Sequence, residues 1–414
     1  MAKAAANRTK AAAAGSLPQP GKQGAAPAGR TGSRATGSCP PVSGILPAQA
    51  IRALIAGGQI TCAMPPAAGQ IQPASLDLRL GDVAYRVRAS FLPGPGADVA
   101  SKLADFSLHT IDLSDGAVLE TGCVYVVPLL ESLALPPHIA AAANPKSSTG
   151  RLDVFTRVIA DGVASFDQIP AGYVGRLYAE ICPQTFPIVA RKGSTLTQLR
   201  LRIGDPRESD EQLAALHARE PLVTGGLRDG GPADIDNGIA LSVDLTPDPH
   251  AAIRGGPEAG LIGYRAIRNT GVVDVDKVGG CAIADYWEPL QARGPKRRLI
   301  LDPDQFYILA SKEAVCIPPT HAAEMLPFNP LVGEFRVHYA GFMDPGFGHR
   351  ISGGAGARVV LEMRSHKVPF ILEDGQIIGR LVYERLTQAP ETVYGAGIGS
   401  HYQAQGLKLS KHFF

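Results

Sequence analysis

The feature that most limits what this chain can fold into is a repeat at one fixed spacing. The segment Arg176-Leu-Tyr-Ala-Glu180-Ile-Cys-Pro-Gln-Thr-Phe-Pro187 aligns without gaps on Arg358-Val-Val-Leu-Glu362-Met-Arg-Ser-His-Lys-Val-Pro369. Glu180 and Glu362, Pro187 and Pro369, Gly193 and Gly375, and Leu199 and Leu381 all stand 182 positions apart. At the same offset, Tyr125, Glu131, Pro136 and Pro137 fall on Tyr307, Glu313, Pro318 and Pro319. Two separated blocks sharing one offset point to two copies of one structural unit. Further upstream, Ala74-Ser-Leu-Asp77-Leu is echoed by Leu241-Ser-Val-Asp244-Leu at a different spacing.

The repeated unit reads as strands. Val124-Tyr-Val-Val-Pro, Phe306-Tyr-Ile-Leu-Ala and Val359-Val-Leu-Glu-Met are short runs rich in β-branched and aromatic residues, separated by Gly- and Pro-containing turns. With 47 Gly and 34 Pro in 414 residues, turns dominate, and the expectation is an all-β sandwich or closed barrel rather than an α/β fold. Two helices are predicted. One covers Pro47 to Ala56, with Ile51, Leu54 and Ile55 on one face and a Gly57-Gly58 stop; the other covers Glu208 to Arg219 between the copies. The expected organisation is a tail (1–43), a first unit (44–205), a linker (206–235), a second unit (236–388) and a C-terminal segment (389–414).

Charge and cysteine usage narrow the function. Residues 1–43 hold six basic residues and no acid, which leaves 40 less six, or 34, basic residues against 38 acids in the remainder. A body near −4 is unlike a basic nucleic-acid binder. The tail itself is Ala-, Gly-, Pro- and Ser-rich and reads as disordered. Six scattered cysteines without a CxxC pair fit neither a zinc site nor a disulfide framework, and imply reduced thiols and a cytoplasmic protein. No stretch is long and apolar enough to read as a membrane span.

Three strings carry chemistry. Pro145-Lys146-Ser147-Ser148-Thr-Gly-Arg151 gathers hydroxyls and cations suited to phosphate oxygens, or forms a surface turn. Phe342-Met-Asp344-Pro-Gly-Phe-Gly348 is a turn where a nucleoside could lie against the backbone, or simply a hairpin closure. Val359-Val360-Leu361-Glu362 sets a carboxylate beside an apolar run, which suits a general base, or faces it to solvent.

Taken in order, together with Ile71-Gln-Pro-Ala-Ser-Leu-Asp77-Leu-Arg-Leu-Gly81 and Tyr402-Gln-Ala-Gln-Gly406, these strings closely resemble the dCTP deaminases of the dUTPase-like superfamily, in a long, duplicated bacterial form. The resemblance covers roughly residues 44–411. It implies two tandem dUTPase-like distorted β-barrel (β-clip) units with a few short helices, and hydrolytic deamination of dCTP to dUTP and ammonia for dTTP precursor supply. It implies a glutamate rather than zinc for proton handling, Mg2+ bound with the triphosphate, a homo-oligomer, and dTTP as a feedback inhibitor. The residues agree about zinc: none of the ten histidines is followed two positions later by Glu, the pattern that zinc deaminases use.

Carried over by position, Lys146, Ser147, Ser148 and Arg151 match the phosphate- and active-site segment. Asp344 matches an acid of the nucleoside turn, Glu362 the catalytic glutamate with Val360 and Leu361 beside it, and Tyr394 and Gln405 the segment that closes over the nucleotide. His401 stands where many relatives have Lys. The 182 offset then divides the labour. Ser147, Ser148 and Arg151 correspond to Asn329, Pro330 and Gly333, so the second copy lacks the hydroxyl-and-Arg cluster, while Ile169-Pro-Ala-Gly-Tyr-Val-Gly175 lacks the acid of the Asp344 turn. The expectation is one functional site type per chain, at the interface between copies, with Glu362, Glu180, Arg151 and Ser147 as the catalytic candidates, Glu362 favoured as base and Glu180 as its structural or vestigial echo. A dUTP diphosphatase or bifunctional enzyme, with Asp77, Asp167 or Asp344 activating water, and a non-catalytic nucleotide-binding regulator stay open as rivals.

Overall fold

In the computed structural model the described residues are 42–225, 233–247, 260–292, 297–327, 335–338, 341–365, 367–395, 402 and 405–414. Residues 1–41 of the tail expected to be disordered, the second-copy positions Asn329, Pro330 and Gly333, and His401 lie outside them. Strands dominate, in several mostly antiparallel sheets.

The spacing seen in the sequence reappears as strand boundaries. Strands begin at Val124 and Phe306, at Ile139 and His321, at Ile188 and Phe370, and at Thr195 and Ile377, each pair 182 residues apart. In the first half Val124–Ala134 pairs with Val174–Pro183, which pairs with Val154–Ala160. In the second half Phe306–Val315, Ala357–Ser365 and Phe335–His338 follow the same order. Polar contacts repeat as well: the Tyr125 hydroxyl accepts from the Glu120 N–H at 3.0 Å, and Tyr307 from Asp302 at 2.9 Å. Glu131 and Glu313 are both buried, and each binds back to the segment that carries the Asp77 or Asp244 motif.

Local chemistry sets the helices. Pro47 stands as the extended N-cap residue, so the first helix runs Ala48–Ala56 and buries Ala48 and Ile51. The second begins two residues later than predicted, at Asp210, because Ser209 and Gln212 form a reciprocal capping box. Its Leu213 and Leu216 enter the second half's core with Leu222, so the connecting segment packs rather than spans. A third helix, Val99–Phe106, was not anticipated; Asp98 caps it by accepting from Ser101 N–H at 2.6 Å.

The halves are joined through shared core and shared sheet edges. Leu119, Val127 and Ile181 of the first half pack in one apolar cluster with Trp287, Ile308 and Val360 of the second. Ile188–Ala190 carries Val273–Asp274 as a parallel neighbour, and Arg191 donates to Asp274 at 2.8 and 3.0 Å. This paired geometry pulls the Asp274 carboxyl down to about 2. Arg364 reaches across to Asp153 and donates to Thr185 Oγ1 at 3.0 Å.

The nine residues by which the second half exceeds the first between Gly348 and the following strand form a closed excursion. Gly356 N–H donates to Gly348 O at 2.9 Å, and Arg350–Ser352 makes a single 3-10 turn. His349 Nδ1 accepts from Ile351 N–H at 3.1 Å, which leaves Nε2 to donate to Glu220. Cys316 lies close enough to make a Glu220–Cys316–His349 group. A metal on Nε2 would require the opposite ring tautomer, so the group reads as a hydrogen-bonded pin. At Gly348, with φ +67°, an added Cβ would lie 2.1 Å from Val315 O, so only glycine fits where this loop leaves the strand.

Candidate functional site

A pocket of about 510 Å³ opens where the halves meet, a size suited to a nucleotide. Its walls draw on the segment with Gln70, Asp77 and Arg79, on Lys146 to Arg151, on Thr195 and Gln198, on the strand and turn from Gly341 to Glu362, and on the C-terminal segment with Tyr394, Tyr402, Gln405 and Lys411.

The Lys146–Arg151 string is a buried single helical turn rather than a surface one. Ser147–Gly150 is helical, and Ser148, Thr149 and Arg151 are nearly inaccessible. Lys146 forms an ion pair with Asp77 and donates to Thr195 Oγ1 at 2.9 Å. Asp77 is buried; desolvation raises its carboxyl and the Lys146 ammonium opposes the rise. Among the described residues its Oδ1 has no hydrogen-bond partner.

Arg151 is committed inside the pocket. It donates to Gln405 Oε1 and to Lys408 O, both at 3.0 Å, and its guanidinium lies 4.0 Å over the Tyr402 ring. Its Nε, which has no hydrogen-bond partner among the described residues, faces Glu362 Oε1 at 3.9 Å. Strand alternation explains Glu362: Val360 and Glu362 share the pocket side of Ala357–Ser365. Leu361 faces the opposite side and sits in the second half's core with Leu309 and Met363, so its side chain is not part of the pocket wall. Burial drives the Glu362 carboxyl well above the usual carboxylate range, Arg151 pulls it back, and Asp153 pushes it further up.

Asp344 enters from the turn after Phe342–Met343, with the Phe347 and Tyr394 rings nearby, tilted against each other at 5.7 Å. The two halves can be compared here by register. Ile169 pairs with Ala141, and Met343 pairs with Ala323, which is 182 residues further on. Pro170 therefore stands where Asp344 stands. Burial raises the Asp344 carboxyl to about 6, with Arg200 lowering it and Asp77 raising it. Arg200, from the first half, is buried between four groups of the second. It donates to Ala323 O at 3.2 Å, Glu384 at 3.1 Å and Met343 O at 3.2 Å, and lies 3.6 Å from Asp344 Oδ1. Its guanidinium also covers the Phe342 ring at 4.0 Å.

The pocket thus brings together Lys146, Ser147, Ser148, Arg151, Asp344, Val360, Glu362, Tyr394 and Gln405. Glu180 lies outside its walls. There Arg157 donates to Glu180 at 2.7 and 3.2 Å and is itself covered by Phe166, 3.4 Å from the ring centroid. Asp167, one of the candidate water activators, is also outside, accepting from Val158 N–H at 2.7 Å. The residues missed by sequence are Thr195, Arg200, Tyr402 and Lys411. Only Tyr402 had a signal, since it opens the quoted Tyr402-to-Gly406 string. Among the described residues no helix is long and apolar enough to cross a membrane.

Comparison with known proteins places the chain in a family. Residues 42–205 match the family model of the 2'-deoxycytidine 5'-triphosphate deaminase N-terminal domain, and residues 209–413 match that of the C-terminal domain. The crystal structure of 2'-deoxycytidine 5'-triphosphate deaminase from Agrobacterium tumefaciens superposes with a TM-score of 0.77 at 58% identity, covering 84% of this chain and 99% of that one. A "dCTP deaminase, dUMP-forming" from Beutenbergia cavernae is 34% identical over 116 residues, 27% of this chain and 56% of the relative. A "dCTP deaminase" from Halorubrum lacusprofundi is 27% identical over 132 residues, 31% of this chain and 62% of the relative. The match therefore spans less than two thirds of either of these two relatives. With both domain models covering it and a solved relative matched over almost its whole length, the chain belongs to the dCTP deaminase family.

Proposed function

We propose that the pocket hydrolyses dCTP to dUTP and ammonia, with one such site built from the two halves of each chain. The observation that carries this reading is a shared cavity. A buried carboxyl whose pKa burial raises well above the ordinary carboxylate value, Glu362 beside Arg151, occupies the same pocket as the cation and hydroxyls of Lys146, Ser147 and Ser148. Proton transfer and phosphate binding are thus both provided for. Each half is read as a distorted barrel of the dUTPase type.

In this reading Glu362 takes a proton from water as its oxygen adds to cytosine C4. The carboxyl delivers that proton to ring N3, where it stays, and then relays the remaining proton of the C4 hydroxyl to the amine, so that the C4–N bond breaks and ammonia leaves as the C4 carbonyl forms. A carboxyl raised by burial is suited to both halves of that transfer. Arg151 Nε, unpartnered and facing Glu362, holds the carboxylate when it is ionised and stabilises negative charge on the C4 oxygen. Asp344 receives a sugar hydroxyl, while Tyr394, Tyr402 and Gln405 close the pocket. The donor set also fits Mg2+ carried with the triphosphate: Asp77 Oδ1 is a hard, unpartnered oxygen in the pocket wall and would hold the ion's water shell. The ion would neutralise phosphate charge. dTTP shares the deoxyribose triphosphate and would compete for the same contacts; assembly into a homo-oligomer is likewise part of this reading.

The same Asp77 oxygen, together with the dUMP-forming relative, supports a second reading in which pyrophosphate is also released. One experiment separates them. The purified chain is incubated with dCTP and Mg2+, and ammonia, dUTP, dUMP and pyrophosphate are followed together, with Glu362→Gln in parallel. Ammonia and dUTP in equal amounts, abolished by the substitution, are expected. Equal dUMP and pyrophosphate would establish the bifunctional reaction, and no ammonia from the wild type would sink the deaminase reading.

A further inference from the structure

The segment from Leu407 to Phe414 is fastened on both sides of a single exposed-to-pocket residue. Leu407 and Leu409 are buried in the core shared by the halves. Phe413 packs against Phe186, Tyr286 and Trp287 at 6.1, 5.4 and 5.7 Å. Backbone bonds run from Gly279 N–H to Lys411 O and from Cys281 N–H to His412 O, both 3.0 Å. Ser410 Oγ donates to Ser148 O at 2.8 Å, His412 Nε2 to Val275 O at 2.9 Å, and Lys411 N–H to the Tyr402 hydroxyl at 3.2 Å. With both neighbours held, Lys411 has its side chain fixed in the pocket wall.

The other cations in that wall are occupied: Lys146 by Asp77 and Thr195, Arg79 by Glu131, and Arg151 by Gln405, Lys408 O and Glu362. Among the described residues Lys411 forms no ion pair and its ammonium no hydrogen bond. Burial and the neighbouring Lys146 both pull its pKa below the ordinary lysine value, while Asp77 opposes them. A half-buried ammonium beside another ammonium costs free energy unless an anion joins them. Resting on the nucleotide reading above, we propose that Lys411 is a phosphate-chain ligand, paired with Lys146, that makes the pocket prefer a triphosphate to a monophosphate.

The test uses the full chain, as wild type, Lys411→Met and Lys411→Arg, titrated calorimetrically with dCTP, dCMP and inorganic tripolyphosphate in the presence of Mg2+. Loss of one charge-assisted contact should weaken dCTP and tripolyphosphate by about tenfold or more in Lys411→Met. The dCMP affinity should move by less than about twofold, and Lys411→Arg should recover most of the triphosphate affinity. The wild-type preference should also fall on the alkaline side at a lower pH than an ordinary lysine would give. Equal weakening of dCTP and dCMP would show that Lys411 only positions the strap, and unchanged binding of all three would also overturn the proposal. Thermal melting of each variant separates misfolding from lost binding, and the arginine variant keeps the test open if the methionine variant does not fold. If tripolyphosphate binds through Lys411 but no ammonia is released from dCTP, the deaminase reading fails and this one stands.

Discussion

Replacing Arg200 by Met tests how the two halves hold the Asp344 turn. The guanidinium is almost inaccessible and answers four groups of the second half: the carbonyls of Ala323 and Met343 and the carboxyls of Glu384 and Asp344. Met fills a similar volume over Phe342 but leaves two buried acids without their cation. Breaking a buried pair in this way costs about 3–5 kcal/mol when the acids are ionised. The cost depends on pH, and the sign follows from Asp344. Burial already holds its folded carboxyl at about 6, above the ordinary value near 3.8, so stability is fully present at low pH and lost as pH rises through 6. Without Arg200 that carboxyl rises further, so the loss on raising pH steepens. At pH 5 Asp344 is protonated in both proteins and its share of the penalty is absent. Urea unfolding, followed through the single, buried Trp287, should give a destabilisation at pH 8 exceeding that at pH 5 by at least about 1 kcal/mol, roughly one pKa unit. Binding of dCTP should weaken in parallel. A destabilisation that is flat, or shrinks as pH rises, would refute the view that Arg200 serves to keep Asp344 ionised.

Two further outcomes follow from residues left outside the pocket. Glu180→Gln should retain ammonia release from dCTP within about threefold, against a loss of about a hundredfold or more for Glu362→Gln. It should lower stability by about 1–3 kcal/mol, because the Arg157 contacts weaken; if only the Glu180 change stops deamination, the assignment of the base to Glu362 is wrong. Asp167 sits at φ +60°, and burial raises its carboxyl to about 7, so the stability it contributes is present at low pH and lost as pH rises through 7. Asn tolerates the same backbone and keeps an acceptor for Val158 N–H. Asp167→Asn should therefore melt higher than wild type at pH 8 but not at pH 5, and a difference independent of pH would count against this origin.

What the sequence made legible was local or periodic. The offset of 182 located strand starts in both halves, because a repeated hydrophobic pattern fixes the same strand twice. The Ser147–Arg151 cluster was visible as a short polar string. The strand Thr195–Ile203 shows why the rest was hidden. It reads Thr-Leu-Thr-Gln-Leu-Arg-Leu-Arg-Ile, an alternation that sends Gln198, Arg200 and Arg202 toward solvent in an isolated unit. The second half covers that face, and Arg200 becomes a buried ligand of its acids. Lys411 was hidden for a similar reason, since its direction is set by Phe413, Ser410 and His412 binding to residues far away in the chain. The side chain of Leu361 points away from the pocket, which the motif match did not show because it names neighbours without their alternation. The lesions of the two copies were legible as missing side chains. That the retained Lys146–Arg151 string and the Asp344 turn face one cavity depends on the docking of the halves, which no local pattern encodes.

The division of the pocket wall between the halves bears on genetics. Lys146 to Arg151 and the Asp344-to-Glu362 region meet within a single chain. Two defective alleles, one altered at Ser148 and the other at Glu362, would each produce chains with every pocket spoiled. Mixing such chains in one cell should restore nothing, because neither can lend its intact half to the other. An enzyme whose pocket drew these parts from different chains would recover a share of its sites from the same pair of alleles. Failure of the two alleles to complement would thus be the cellular signature of a site assembled in cis.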